Sequence, residues 1–230
     1  MLVGVSAFAA DSARQTLNFN REWKFKLGDE KGAEAPAFED AQWSAVGLPH
    51  SFSTPYFLAD KFYTGYGWYR KHFDVPAAWK NKRVSIEFEA AFQDAEVFVN
   101  GKAVGRHEGG YTGFSLDITD AVKAGDNVVA VRLNNLWRGD LAPRAGEHVF
   151  SGGIYRDVYL VVTDPLHVAW YGTFVTTPEV SKESATVNIK TEVKNDTAQS
   201  KKATVLTRVV DAAGKEAAKV KSDLTIAAGE

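Results

Sequence analysis

Apolar and polar residues alternate along most of the chain, and the spacing typical of an amphipathic helix is almost absent. Between Arg83 and Glu89, for example, Val84, Ile86 and Phe88 would face one side and the polar residues the other. Alternation of this kind, bounded by turn residues, predicts half-buried strands. Strands are predicted in this way at Trp23–Leu27, Gly67–Val75, Arg83–Ala90, Glu96–Val99, Phe114–Ile118, Asn127–Leu133 and Tyr155–Val162. Between Val128 and Leu133 both alternating sets are mostly apolar, so that strand is expected to be covered on both faces.

Two glycine-containing pairs interrupt the alternation between Glu96 and Thr119. Asn100-Gly101 predicts a tight hairpin turn, because both central positions of a type I′ turn need a positive φ. The strands on either side of it would be Glu96–Val99 and Ala103–Arg106. The second pair, Gly109-Gly110, would permit a backbone conformation that is closed to residues with a Cβ.

Many short strands without intervening helices predict an antiparallel β-sandwich. Asp164-Pro165 breaks this pattern, and the alternating runs after it are longer and richer in Val, Thr, Lys and Ala. We therefore expect a first domain over residues 14–164 and a second over 165–230. The second has about 65 residues, whereas an immunoglobulin-like sandwich needs roughly 100, so we expect it to be incomplete. Its predicted strands are Leu166–Thr177, Ala185–Lys194 and Ala203–Asp211.

Composition excludes several classes of function. The 27 Lys and Arg residues nearly balance the 29 Asp and Glu residues and do not cluster, which argues against a nucleic-acid partner. There is no cysteine, so disulfides, Cys-ligated zinc and thiol catalysis are excluded. The five histidines lack short ligand spacings, and we expect neither a metal nor a cofactor. No apolar run approaches the ~20 residues of a membrane span.

The N-terminus is short, apolar and rich in small residues. Residues 1–10 end in Ala7-Phe8-Ala9-Ala10, which is typical of a signal peptide with an Ala-x-Ala cleavage site. The alternative is a frayed, mildly apolar terminus. On the first interpretation the mature protein is exported to the periplasm or the extracellular space.

Several motifs together resemble the N-terminal sugar-binding domain of family 2 glycoside hydrolases, the group of β-galactosidases, β-glucuronidases and β-mannosidases. They are VFVNGKAVGRHEGGYTGFSLDIT from Val97, FSGGIYRDVYL from Phe150, and Asn20–Phe25, Leu48–His50 and Gly67–Lys71. The resemblance covers about residues 17–164, and the Gly-Gly-Ile-Tyr-Arg-Asp-Val form is most similar to β-galactosidases. Residues 166–230 resemble the start of the immunoglobulin-like domain that follows in that family.

The resemblance implies an all-β fold, with a jelly-roll β-sandwich followed by a truncated immunoglobulin-like sandwich. It also implies that the chain continues from Gly109-Gly110 into the next strand, with Tyr111 and Phe114 returning to the core. It also implies that both catalytic glutamates lie on a later (β/α)₈ barrel, about 5 Å apart for a retaining reaction. No carboxylate of this chain is therefore expected to be catalytic. Glu87 and Glu89 have a spacing that could mimic such a pair, but we expect both on one solvated strand face.

In β-galactosidases of this family, an acidic residue just before the Gly-Ile-(Tyr/Phe)-Arg-Asp motif contacts the terminal sugar. The matching position here is Glu147, followed by His148. A carboxylate there would accept strong hydrogen bonds from sugar hydroxyls. The alternative is a solvated loop acid. Long structureless segments inside compact domains are more often functional than idle, which directs attention to the whole segment 136–150.

The same segment contains two further candidate substrate-binding residues, Asp140 and Trp137. Trp137 could stack on a sugar face or anchor the segment, and anchoring is the favoured interpretation. Ser51–Tyr66 could form a second wall of the site. Arg156, within the Arg-Asp dipeptide, is expected to make a structural pair instead of a sugar contact.

These observations predict the non-catalytic N-terminal part of an exported glycoside hydrolase whose partner is a carbohydrate. Two alternatives remain open at this point, a self-standing carbohydrate-binding module and a structural surface protein built from β-sandwiches. The sequence also leaves open which sugar is recognised and whether the protein forms a homo-oligomer.

Overall fold

A computed structural model describes residues 13–53, 63–141 and 151–230 of the chain, and the predicted signal remnant at residues 1–10 lies outside them. Within the described part, strands account for nearly all regular structure. The strands are β1 (Arg14–Asn18), β2 (Trp23–Leu27), β3 (Ser44–Val46), β4 (Tyr66–Val75), β5 (Arg83–Phe88), β6 (Asp94–Val99), β7 (Lys102–Glu108), β8 (Phe114–Asp117), β9 (Gly125–Asn134), β10 (Val158–Thr163), β11 (Leu166–Val180), β12 (Ala185–Asn195), β13 (Lys201–Val210) and β14 (Glu216–Ile226).

The first fold unit is a β-sandwich, which confirms the all-β prediction. A six-stranded sheet in the order β3-β2-β4-β9-β6-β7 faces a four-stranded sheet in the order β1-β10-β5-β8. Apolar side chains from both sheets fill one continuous core between them. Its fully buried members include Trp23, Tyr69, Ile86, Val97 and Val131.

The central strands of the larger sheet are covered on both faces, as the pattern at Val128–Leu133 predicts. On the face away from the main core, Trp68 and Ala130 pack with Trp43 from the segment before β3. Arg70 of β4 is completely buried and holds that segment with a 2.8 Å ion pair to Asp40. Further donation to backbone carbonyls of the segment satisfies a charge that would otherwise be costly to bury.

The predicted hairpin at Asn100-Gly101 is confirmed. Strands β6 and β7 pair on either side of it, and Asn100 and Gly101 adopt φ values of 51° and 82°. The Asn100 side chain adds a 2.8 Å bond from Nδ2 to the carbonyl oxygen of Ala121, so the turn is tied to the loop before β9.

The segment Gly109–Phe114 follows the prediction except at one residue. A Cβ on Gly110 would collide with the ring of Phe92, and Phe114 is buried in the core. We expected Tyr111 to return to the core as well, and this was wrong, since its side chain is 57% exposed. Its ring packs edge-on against Phe92 at a centroid distance of 5.6 Å, because Phe92 already fills the space beneath the turn.

Contacts divide the chain into two compact units between Val162 and Thr163. The second unit consists of two antiparallel hairpins, β11-β12 and β13-β14. Few of its side chains are buried, although Asn195 is an exception at 0% exposure. The hairpins leave many large apolar side chains exposed, among them Phe174, Val180, Leu206, Val210 and Val220.

We predict that the first unit folds without the second, because its core is drawn entirely from its own strands. A chain ending at Asp164 should unfold cooperatively in urea, and limited proteolysis of the 230-residue chain should cut first within residues 166–230. Early cleavage inside residues 17–164 that spares the second unit would contradict this order of stability.

Candidate functional site

Two segments that were predicted to border a site are held together at their ends by buried hydrogen bonds. Asn135 is fully buried, and its Nδ2 donates to the carbonyl oxygen of Tyr63 at 2.9 Å and to Ser53 Oγ at 3.5 Å. Its Oδ1 accepts from the Gly65 N–H at 2.9 Å. Ser53 Oγ accepts in turn from the Gly152 N–H at 2.9 Å. We call Ser53, Asn135 and the backbone of Tyr63, Gly65 and Gly152 the loop-root cluster.

The glycines of the Gly-Gly-Ile-Tyr-Arg-Asp motif let the chain pass close to the residues after β3. Gly153 has a φ of 141°, and a Cβ there would meet the carbonyl oxygen of His50. The two stretches pair through the backbone, His50 N–H to Ile154 O at 2.8 Å and Phe52 N–H to Gly152 O at 2.9 Å. The motif therefore builds the structure at the loop roots.

A network of charged side chains fixes the segment that follows β9. Arg106 makes two bonds to the Asp94 carboxylate, at 2.7 and 2.8 Å. Arg138 pairs with Glu108 and with Asp140 and lies 3.8 Å from Asp94. We call these five residues the Arg138 network. Beside the Arg138 network, Gln93 Nε2 donates to the carbonyl oxygen of Leu136. The start of segment 136–150 is therefore held at both Leu136 and Arg138.

Asp94 is the one member of the network whose side chain is nearly buried, at 9% exposure. Burial raises the pKa of its carboxyl, but hydrogen bonds from Arg106 and Asn134 outweigh burial, and the pKa lies below its ordinary value. The other ion pairs of the network are more exposed, and exposed pairs contribute little to stability. Asp94 is therefore the electrostatic centre of the network.

The half-buried His50 lies beside the loop-root cluster. It shares a 2.8 Å hydrogen bond with the hydroxyl of Tyr69 and packs against Phe25. Burial lowers the pKa of the His50 imidazole, which keeps the ring neutral at pH 7. A neutral ring can be packed among aromatic side chains without a counter-charge.

The structure places the four predicted substrate-binding residues unequally. Glu147 and His148 lie outside the described residues, so their predicted sugar contacts stay predictions. Asp140 is ion-paired with Arg138. Trp137 is 63% exposed, and its anchoring role stays a prediction. Arg138 holds this segment through its ion pairs with Glu108 and Asp140.

Sequence reasoning missed Asn135 and Ser53. A signal was present, because Asn134 and Asn135 continue directly from a run expected to be buried, and a buried amide needs partners. The predicted structural pair of Arg156 stays a prediction, and the structural contact shown within the Arg-Asp dipeptide is made by its second residue. Asp157 accepts a 2.8 Å bond from Asn20, whereas Arg156 is exposed.

Residues 2–165 match the family model described as glycosyl hydrolases family 2, sugar binding domain. The chain belongs to glycosyl hydrolase family 2. It is 34% identical to a β-glucuronidase of Formosa agariphila and 36% identical to a β-galactosidase of Bacteroides ovatus, each over 95% of its length. It superposes on the crystal structure of a Bacteroides uniformis β-glucuronidase with a TM-score of 0.90 and 37% identity over 94% of this chain.

The chain spans about a quarter of the length of these family 2 relatives, 25% and 26% for the two sequences and 26% for the solved structure. In the described part of the chain, no three His, Asp or Glu residues are grouped so that they could hold a metal ion. The same residues contain no helix long and apolar enough to cross a membrane.

We predict that Asp94→Asn destabilises the first unit at pH 7 by about 1.5–3 kcal/mol, the range for a hydrogen bond to a charged group. The folded-state pKa of Asp94 is depressed, so its contribution is complete above the unfolded-state pKa of 3.8 and is lost as the pH falls through the folded-state pKa. Urea unfolding of wild type and variant at pH 7 and near pH 3 measures this.

The matched control is Asp120→Asn, the same change at an exposed aspartate, which should alter the free energy of unfolding little at either pH. The stability difference between wild type and Asp94→Asn should shrink as the pH falls. A difference that stays constant with pH would show that Asp94 does not act through its charge.

Proposed function

We propose that this chain is the non-catalytic N-terminal part of an exported glycoside hydrolase, and that it lends the segment 136–150 to a sugar site completed by a separate catalytic domain. The observation that carries the proposal is the match to the family 2 sugar-binding domain. The related proteins are named β-glucuronidase and β-galactosidase. Export is supported by the small apolar stretch that ends at Ala10.

Within the proposed site, Glu147 accepts hydrogen bonds from hydroxyls of the terminal sugar, and His148, Asp140 and Trp137 line its approach. The contacts that hold the residues at the two ends of segment 136–150 support this. The Arg138 network holds its start, and the loop-root cluster holds the backbone at Gly152, just beyond its end. The substrate class is a terminal glycoside, a galactoside or a glucuronide by the names of the relatives.

The 230-residue chain by itself should not hydrolyse aryl galactosides or glucuronides, because the proposal assigns the catalytic carboxylates to another domain. The measurement is release of the aryl alcohol by the purified chain. Turnover that persists through repurification would overturn this assignment. Reading the coding sequence beyond Glu230 tests the same point, since the proposal requires a domain with two suitably placed glutamates.

In the protein that contains both parts, Glu147→Gln should lower kcat/KM about tenfold to two-hundredfold, because a hydrogen bond to a charged group contributes about 1.5–3 kcal/mol. Glutamine keeps the shape of the side chain and removes its charge. Glu89→Gln, the same change at an exposed residue directly after β5, is the control and should have no effect on kcat/KM. If Glu147→Gln also leaves kcat/KM within about twofold, Glu147 is only a solvated acid.

A further inference from the structure

The loop-root cluster joins four stretches that are far apart in sequence. Ser53 ends the stretch after β3, Tyr63 and Gly65 precede β4, Asn135 follows β9, and Gly152 precedes β10. The bonds through Asn135 and Ser53 span sequence separations of up to 99 residues. The residues that flank segment 54–62 and those that flank segment 136–151 thus meet in one cluster.

The side-chain amide of Asn135 supplies both the donor and the acceptor that its backbone neighbours require, and few side chains can supply both. Its amide group must donate to a carbonyl oxygen and accept from a backbone N–H at the same time. Asparagine carries both groups in one plane, whereas aspartate accepts only and leucine does neither. Since the site is buried, an unmatched partner would not be compensated by water.

We propose that Asn135 and Ser53 are positioning residues for the sugar site, and that they make the four backbone stretches of the loop-root cluster, at residues 53, 63–65, 135 and 152, act as one unit. Ser53 links Gly152 to Asn135 by accepting from Gly152 while lying within 3.5 Å of the Asn135 amide. A displacement of the backbone at Gly152 would therefore also displace Ser53 and, through it, Asn135. This inference rests on the proposed function, because it assigns the unit to the sugar site.

Strand β9, which directly precedes Asn135, supplies a matched control. Asn127, near the start of β9, is also buried, at 1% exposure. Its side chain bonds to Asn100, Lys123 and Gly125. The two asparagines are eight residues apart, which in a strand is about 26 Å. Asn127 thus provides a comparable buried amide at the opposite end of the sheet.

The first test uses the 230-residue chain and does not depend on glycosidase activity. Trypsin cleavage after Lys61 and after Arg144, followed by mass spectrometry, reports on the two segments separately. We expect Asn135→Asp to accelerate both cleavages together, by about threefold or more, and Ser53→Ala to do so more mildly. Asn127→Asp should leave both rates unchanged relative to cleavage elsewhere in the first unit.

The second test measures kcat/KM in the protein that contains the catalytic domain, well below the unfolding temperature of each variant. Asn135→Asp should lower kcat/KM about tenfold or more, because small displacements of a positioned group are costly. Asn127→Asp should stay within about twofold of wild type. Ser53→Ala should lie between them, and it remains informative if Asn135→Asp does not fold.

Three outcomes would overturn the inference. The first is acceleration at only one of the two cleavage sites, or at neither. The second is an equal effect of Asn127→Asp, which would indicate general destabilisation. The third is an unchanged kcat/KM in both Asn135→Asp and Ser53→Ala. Failure of the proposed function appears differently, as a wild-type protein without glycosidase activity, and leaves the cleavage result standing.

Discussion

Backbone N–H and C=O groups that turn back inside a protein must each find a partner, since water cannot reach them. At one end of this sandwich, four stretches of chain meet that belong to no common ladder. Side chains provide the missing partners there, and Asn135 provides most of them. The positions of Ser53, Tyr63 and Gly65 relative to the end of β9 therefore depend on that buried amide.

The rest of the first unit makes such a junction rigid. Strand β9 runs through the middle of the six-stranded sheet and is buried on both faces. Because Asn135 directly follows β9, its backbone cannot shift without disturbing the core. Buried Arg70 performs a similar task on the outer face, where it holds the segment before β3. In both places a polar side chain fixes backbone that strand pairing does not reach.

Strand positions could be read from the sequence because alternation reports burial directly, as at β2 and β5. Three strands were not predicted from this alternation. In β1 the only large aliphatic residue is Leu17, β3 has just three residues, and β14 mixes alanine and lysine with few large apolar side chains. Tyr111 was misplaced because the space it was expected to fill is taken by Phe92, a residue more distant in sequence.

The candidate site was less predictable than the fold for a physical reason. The motifs located the segment 136–150, but the residues that hold it act across long sequence separations. Asp94 and Arg138 are paired from different strands and loops, and Asn135 bonds to residues more than sixty positions away. Local sequence patterns do not show which distant residues are the partners. The pair Asn134-Asn135 after a buried strand does indicate that such partners must exist.

The central claim, that one cluster holds both segments, is tested most directly by native-state hydrogen exchange of two backbone amides in the wild-type chain. The Gly65 N–H is bonded to Asn135 Oδ1 and the Gly152 N–H to Ser53 Oγ. If the cluster opens as one unit, the two amides should show protection within about threefold of each other and the same dependence on added urea. Protection that differs by about a hundredfold or more, or unequal urea dependence, would contradict the account.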